Sequence, residues 1–177
     1  MGTGQMMLTV LAVFLLSTII LSMNRTYVDN TETIVRTKSN LVSISFATSQ
    51  LQKAGRLAFD DFTKVANDTT VGPLVTDSSS FSAQLKWESG ETGHGDTLFN
   101  DIDDYNGYLY TDSTQTGDKY NILTRVSYVS PSNPWGDTTA GKQWAKRVTV
   151  RVWPQVAGNL KPDTITLTQV FSYWRWR

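Results

Sequence analysis

The chain has 177 residues, with 16 Lys and Arg against 16 Asp and Glu, one histidine and no cysteine, the size of one ordinary domain plus an appendage. A formal charge of zero argues against a generally basic nucleic-acid binder and against an acidic, solvated disordered chain, since both need an excess of one sign. The missing cysteines exclude disulfides, thiol nucleophiles, zinc ribbons and iron–sulfur clusters, and a lone His94 excludes histidine-rich metal sites.

The N-terminal part lacks helix breakers: all five prolines and all six tryptophans lie beyond residue 72, and between Gln5 and Val71 the only glycine is Gly55. From Gly2 to Asn24 there is no ionisable side chain, and Met6 to Met23 reads MMLTVLAVFLLSTIILSM, close to the roughly 20 apolar residues that cross a bilayer. A cleaved secretory signal would carry a basic start and a small-residue cleavage site after a shorter apolar core, whereas Asn24-Arg25 runs on into helical sequence. Beyond it Tyr27, Thr31, Ile34, Val35, Leu41, Ile44, Leu51, Ala54, Leu57, Ala58, Phe62 and Val65 recur mostly at three- and four-residue steps, one face of a helix, with Phe46 and Phe59 off that face. A single helix from Gln5 to Ala66, stopped by Asn67-Asp68 and Gly72-Pro73, would be roughly 90 Å long. Such a helix reads either as a single-pass anchor with a stalk or as an assembly helix. Arg25 after an uncharged leader favours, on its own, a cytoplasmic C-terminal side.

After Pro73 the period falls to two. Phe81 to Trp87, Tyr108 to Thr111, Tyr120 to Val129, Arg147 to Trp153 and Thr164 to Trp174 are predicted strands, bounded by Gly, Pro, Asn or Asp clusters. Glu88 to Asn100 and Ser130 to Gly141 are predicted long loops. The fold class expected is α+β: residues 1–24 an apolar segment, 25–70 the amphipathic continuation of the helix, and 71–177 an antiparallel sheet domain that buries Ala54, Leu57, Ala58 and Phe62 of the helix's second half.

This arrangement resembles the type IV pilins and the pseudopilins of type II secretion. Met1-Gly2-Thr3-Gly4 is similar to their short leader, cleaved between Gly4 and Gln5, and the uncharged run and long helix follow as in that family. Trp144 to Trp153 followed by Thr164-Ile-Thr-Leu-Thr is similar to the paired last strands of minor pilins, and Asn100-Asp-Ile-Asp-Asp-Tyr-Asn-Gly107 looks like the Asp-rich segment of minor pilins of the mannose-sensitive haemagglutinin type. The chain departs from the pattern in having no basic residue in the leader, Gln5 for the usual aromatic or Met, and Thr9 for the glutamate that pairs with a neighbour's N-terminal amine. The resemblance implies a structural subunit of an extracellular filament, held in the cytoplasmic membrane before assembly. A prepilin peptidase and an inner-membrane assembly machinery would be its partners, and the family topology puts the sheet outside, against the signal from Arg25. The assembly residues would be Leu8, Thr9, Val10, Leu11, Val13, Phe14, Leu15, Leu16, Ile19, Ile20 and Leu21. Two alternatives stay open: a membrane-anchored binding or sensor protein whose loops at 88–107 and 130–141 take a ligand, and a minor pilin or secretion pseudopilin.

Asp101, Asp103, Asp104 and Asn106 could hold calcium by oxygen ligation, but Tyr105 and the late glycine break the EF-hand spacing, which favours a solvated turn or N-cap. His94 lacks a placed nucleophile, and no Gly-x-Ser-x-Gly, P-loop or dinucleotide fingerprint occurs, so catalysis and a cofactor are not expected. In the tail, Trp174, Arg175, Trp176 and Arg177 alternate aromatic and basic side chains, which fits a subunit interface better than stacking on nucleic acid. Eight acidic residues and no Lys or Arg lie from Glu88 to Asp118, against seven basic residues and Asp163 from Lys142 to Arg177. The zero charge is a sum of opposed patches, which suggests pairing between copies of the chain.

Overall fold

The computed structural model describes residues 2–63, 74–87, 97–155 and 163–176, with the backbone alone at 175 and 176. Contacts divide the chain into two compact units, Met1–Leu41 and Val42–Arg177. The helical turns after Leu41 thus belong with the sheet.

The first unit is helix. α1 runs from Thr3 to Ala54, and its apolar side chains from Met6 to Met23 are exposed. Thr9, Ser17 and Thr18 return their hydroxyls to the carbonyls of Met6, Val13 and Leu15 at 2.8 Å each. In a medium without water this self-satisfaction removes the cost of three polar groups. Among the described residues, one helix is long and apolar enough to cross a membrane.

In the second unit the last turns of α1 bury Ser43, Ala47, Gln50, Leu51 and Ala54, a helical stripe. Small residues at 43 and 47 and the Tyr110 hydroxyl donating to Gln50 Oε1 at 3.1 Å let the helix sit close to the sheet. Leu51 and Ala54 lie on the expected face, and the stripe is shifted from it toward Ser43, Ala47 and Gln50. Ile44 stays 41% exposed, and Phe46, expected off the face, packs its ring 5.4 Å from that of Tyr120.

The helix ends twelve residues before the expected stop at Ala66. Gly55 still donates to Leu51 O, but Arg56 and Leu57 donate only three residues back, to Lys53 and Ala54, the tightening typical of a last turn. A Cβ on Gly55 would lie 3.0 Å from the Phe171 ring, so glycine here permits a close approach. With helical phase lost after it, Phe59 turns in and is fully buried while Phe62, expected in the core, is 59% exposed. The expected stop signal at residues 67–73 lies outside the described residues.

The sheet is antiparallel, with β1 (Leu109–Ser113), β2 (Lys119–Ser130), β3 (Asn133–Thr138), β4 (Ala145–Pro154) and β5 (Ile165–Ser172). Its order is β1-β2-β4-β5, and β3 pairs with the end of β2 through a register shift between Val129 and Ser130. Period-two burial governs the central strands: Ile122, Thr124, Val126 and Tyr128 of β2 face inward, as do Lys146, Val148, Val150 and Val152 of β4. The α+β class is as expected.

Three sheet expectations are corrected. Phe81–Trp87 is no strand, because side chains from elsewhere take its backbone groups: Ser82 N–H donates to Asp60, Tyr128 donates to Ser82 O, and Asn106 donates to Leu85 O. The segment 130–141, expected as a loop, contains β3. The last strand stops at Ser172, and Tyr173–Trp176 forms a 3-10 turn, with Tyr173 accepting a hydrogen bond from Val75 N–H through its hydroxyl at 3.0 Å.

Candidate functional site

Two features carry chemistry, one in each unit. In the first, Leu8, Val10, Leu11, Val13, Phe14, Leu15, Leu16, Ile19, Ile20 and Leu21 are each more than half exposed along α1. Thr9 stands among them with its hydroxyl on Met6 O. Gly4 and Gln5, the expected cleavage pair, lie in the first turn, where Gln5 N–H donates to Gly2 O at 2.9 Å.

In the second unit the Asp-rich segment, expected to be a solvated turn or an N-cap, is buried. A short parallel bridge aligns it with the stretch after the helix: Ala58 N–H donates to Asn100 O and Ile102 N–H to Ala58 O. Asp101 Oδ1 accepts from the N–H groups of Asp103 and Asp104, while Asp104 Oδ2 reaches back to those of Asn100 and Asp101. These two aspartates, three apart, form a reciprocal cap on the 3-10 turn Asp103–Tyr105. Asn106 donates to Leu85 O and accepts from Val126 N–H. The oxygen set considered for calcium therefore does not converge: two carboxylates serve the backbone, Asn106 bridges loop and sheet, and Asp103 points elsewhere. Among the described residues no group of three acidic or histidine side chains is arranged for a metal ion.

Asp103 meets Lys146. The Lys146 ammonium is fully buried and directs its three N–H groups to Phe59 O at 2.6 Å, Asp60 Oδ2 at 2.8 Å and Asp103 Oδ2 at 2.8 Å, with Asp103 Oδ1 also 2.7 Å away. The Phe59 ring lies 4.6 Å from Nζ and the Tyr128 ring 5.2 Å. Tyr128, directly opposite Lys146 across the β2–β4 ladder, directs its hydroxyl to Asp60 Oδ2 and Ser82 O at 3.1 and 3.0 Å. Asp60 also accepts from Ser82 N–H, Ser82 Oγ and Phe62 N–H.

The two aspartates are thus unlike. Burial by itself pushes both carboxyls up. At Asp60 the Lys146 charge and hydrogen bond, with the Ser82 and Phe62 donors, outweigh burial and hold it below the ordinary carboxylate range. At Asp103 burial, aided by the negative charges of Asp60 and Asp104, outweighs Lys146 and pushes the carboxyl up to about 7. Burial and the nearby carboxylates also raise Tyr128, so its hydroxyl stays protonated.

The sequence reading missed Lys146, Asp60 and Tyr128. The signal for Lys146 was its phase, two residues before Val148 on the valine side of β4. Of the tail, Trp174 is 61% exposed and stacked on Trp144 at 5.4 Å. The side chains of Arg175 and Trp176, and all of Arg177, lie outside the described residues, as do His94 and most of the loop that begins at Glu88.

Fold and site define an α+β protein with a long apolar N-terminal helix and a small antiparallel sheet domain locked by a buried charge cluster. No family model, curated protein or solved structure matches the chain.

Proposed function

We propose that the chain is a structural subunit of a pilin-like extracellular filament, its N-terminal helices packed together in the core and its sheet domains outside. The observation that carries this reading is the exposed apolar run of α1, in a helix that continues without a break into the core of the sheet domain. Ten of its large apolar side chains, at roughly 1.5–3 kcal/mol each for burial, represent roughly 15–30 kcal/mol if left in water, more than the whole stability of an ordinary domain. Lipid satisfies that demand before assembly and like helices satisfy it afterwards. Transfer between the two costs little hydrophobic energy, while van der Waals packing supplies specificity. Contacts of this kind are heterologous and generate an open helical polymer.

Leu16→Glu tests the reading. Electron microscopy of surface material from cells carrying the variant should show filaments lost, with the sheet domain still folded. Wild-type cells that shed no fibre containing this chain, with the protein recovered from detergent as a monomer, would favour an anchored binding protein instead. Filaments of normal yield from Leu16→Glu would overturn the assembly role.

A further inference from the structure

We propose that Lys146 and Asp103 condense into an intramolecular amide bond inside the sheet domain, with Asp60 as the base. The proposal does not depend on the filament reading. Nζ of Lys146 lies 2.7 Å from one Asp103 oxygen and 2.8 Å from the other, which puts the Cγ that carries both about 3 Å away, a separation from which attack needs only a tilt of the amine out of the carboxylate plane. The side chains of Lys146 and Asp60 are 0% exposed and that of Asp103 2%. A site this dry favours expulsion of water and protects the product from hydrolysis.

Asp103 is the electrophile rather than Asp60, because the two carboxylates are held in different states. Asp60 is fixed as an anion by Ser82, Phe62, Tyr128 and Lys146, and an ionised carboxylate resists nucleophilic addition. Among the described residues no backbone N–H donates to the Asp103 carboxylate, and burial favours its neutral acid.

The step balances without a co-reactant. One proton passes from the Lys146 ammonium to an Asp103 oxygen, leaving a neutral amine against a neutral carboxylic acid. The Nζ lone pair adds to Cγ, and the N–C bond forms as negative charge moves to the other Asp103 oxygen. Asp60 Oδ2, already 2.8 Å from Nζ, takes a second proton from nitrogen and passes it to the Asp103 hydroxyl. The C–O bond breaks, the carbonyl re-forms and one water leaves, with Asp60 returned to its starting state. A chain with no cysteine thereby gains a covalent tie between the segment before β1 and the middle of the sheet, the role a disulfide fills elsewhere.

Mass spectrometry of the full-length protein extracted from cells tests this. Condensation removes one water, about 18 Da, and blocks trypsin at Lys146. The digest should hold a branched peptide joining Gln143–Arg147 to Trp87–Lys119, with fragment ions placing the branch at Asp103. Lys146→Arg and Asp103→Ala should restore the full mass, and Asp60→Asn should slow bond formation by roughly a hundredfold or more, the usual contribution of a general base. Should a variant fail to fold, the wild-type digest still decides. Separate, unbranched peptides cleaved after Lys146 would overturn the proposal, as would a branch at Asp60 or at Asp101 and Asp104.

Discussion

Lys146 occupies a position where the other inward residues of its strand are valines. An unpaired ammonium there would cost several kcal/mol, and removing one partner from a buried pair typically costs about 3–5 kcal/mol, which explains why every N–H of Lys146 has an acceptor. The inward lysine was legible from strand phase. Its acids were not: no local pattern says that Asp60, just past a helix end, and Asp103, in a tight turn, meet the same side chain, and the Asp-rich run read most simply as solvated. The proposed condensation has a pH dependence whose sign follows from the proton count. The groups facing Asp103 are Lys146 from β4, Tyr128 from β2, Asp60 from the stretch after α1, and Asp104 of its own turn. Below about 7 the folded pair holds a protonated acid and an ammonium, one proton too many. Above it the pair holds the one proton that the amine-plus-acid state requires. Unfolded chain collected from inclusion bodies and refolded at a series of pH values should therefore form the branched peptide at a rate that rises about tenfold per pH unit up to about 7 and then levels off. A rate that falls as pH rises through that range would contradict the assignment of Asp103 as the acid.

At the scale of elements, the sequence showed type and order better than ends. The apolar run and the valine alternation are strong periodic signals, and α1, β2 and β4 follow them. The helix end is not legible in sequence, because Gly55 is an isolated glycine within a helical pattern, and only its close approach to Phe171 marks the place where the helix stops. Phe81–Trp87 alternates in sequence yet has its backbone bonded by Asp60, Tyr128 and Asn106, partners that only the tertiary fold supplies. β3 hides among Asn, Pro, Gly and Asp, poor strand formers that edge pairing with β2 tolerates. The Gly55 reading has a direct test. Gly55→Val would gain helix propensity but place branched carbons against a buried ring and the Leu51 carbonyl. Overpacking of this kind typically costs about 1–3 kcal/mol, so chemical denaturation followed by tryptophan fluorescence should show a midpoint shifted downward with its slope unchanged. An unchanged or raised midpoint would mean that the glycine serves chain flexibility and not the approach of Phe171.

For the whole molecule, the charge balance changes meaning once the cluster is known. Opposed acidic and basic segments suggested that one copy's acids meet the next copy's bases, but Asp103 and Lys146, one from each segment, meet within a single chain, and Asp101 and Asp104 are buried on backbone donors. Part of the polarity that could drive association is thus consumed by folding, and the case for self-assembly rests on the apolar helix. The proposed assembly then puts two demands in two units: the exposed apolar run within Met1–Leu41 would be covered by lipid or like helices, whereas Val42–Arg177 holds its own core, including the α1 turns with Ala47, Leu51 and Ala54. A chain beginning at Val42 should therefore be a soluble monomer without detergent and show the aromatic circular dichroism of the full-length protein. A chain beginning at Gly55 removes three core side chains, including a leucine whose loss alone typically costs about 2–5 kcal/mol, and should lose that signal. If the chain from Val42 aggregates while the full-length protein in detergent stays dispersed, the sheet domain depends on the apolar helix for more than anchoring, and the separation of the two demands fails.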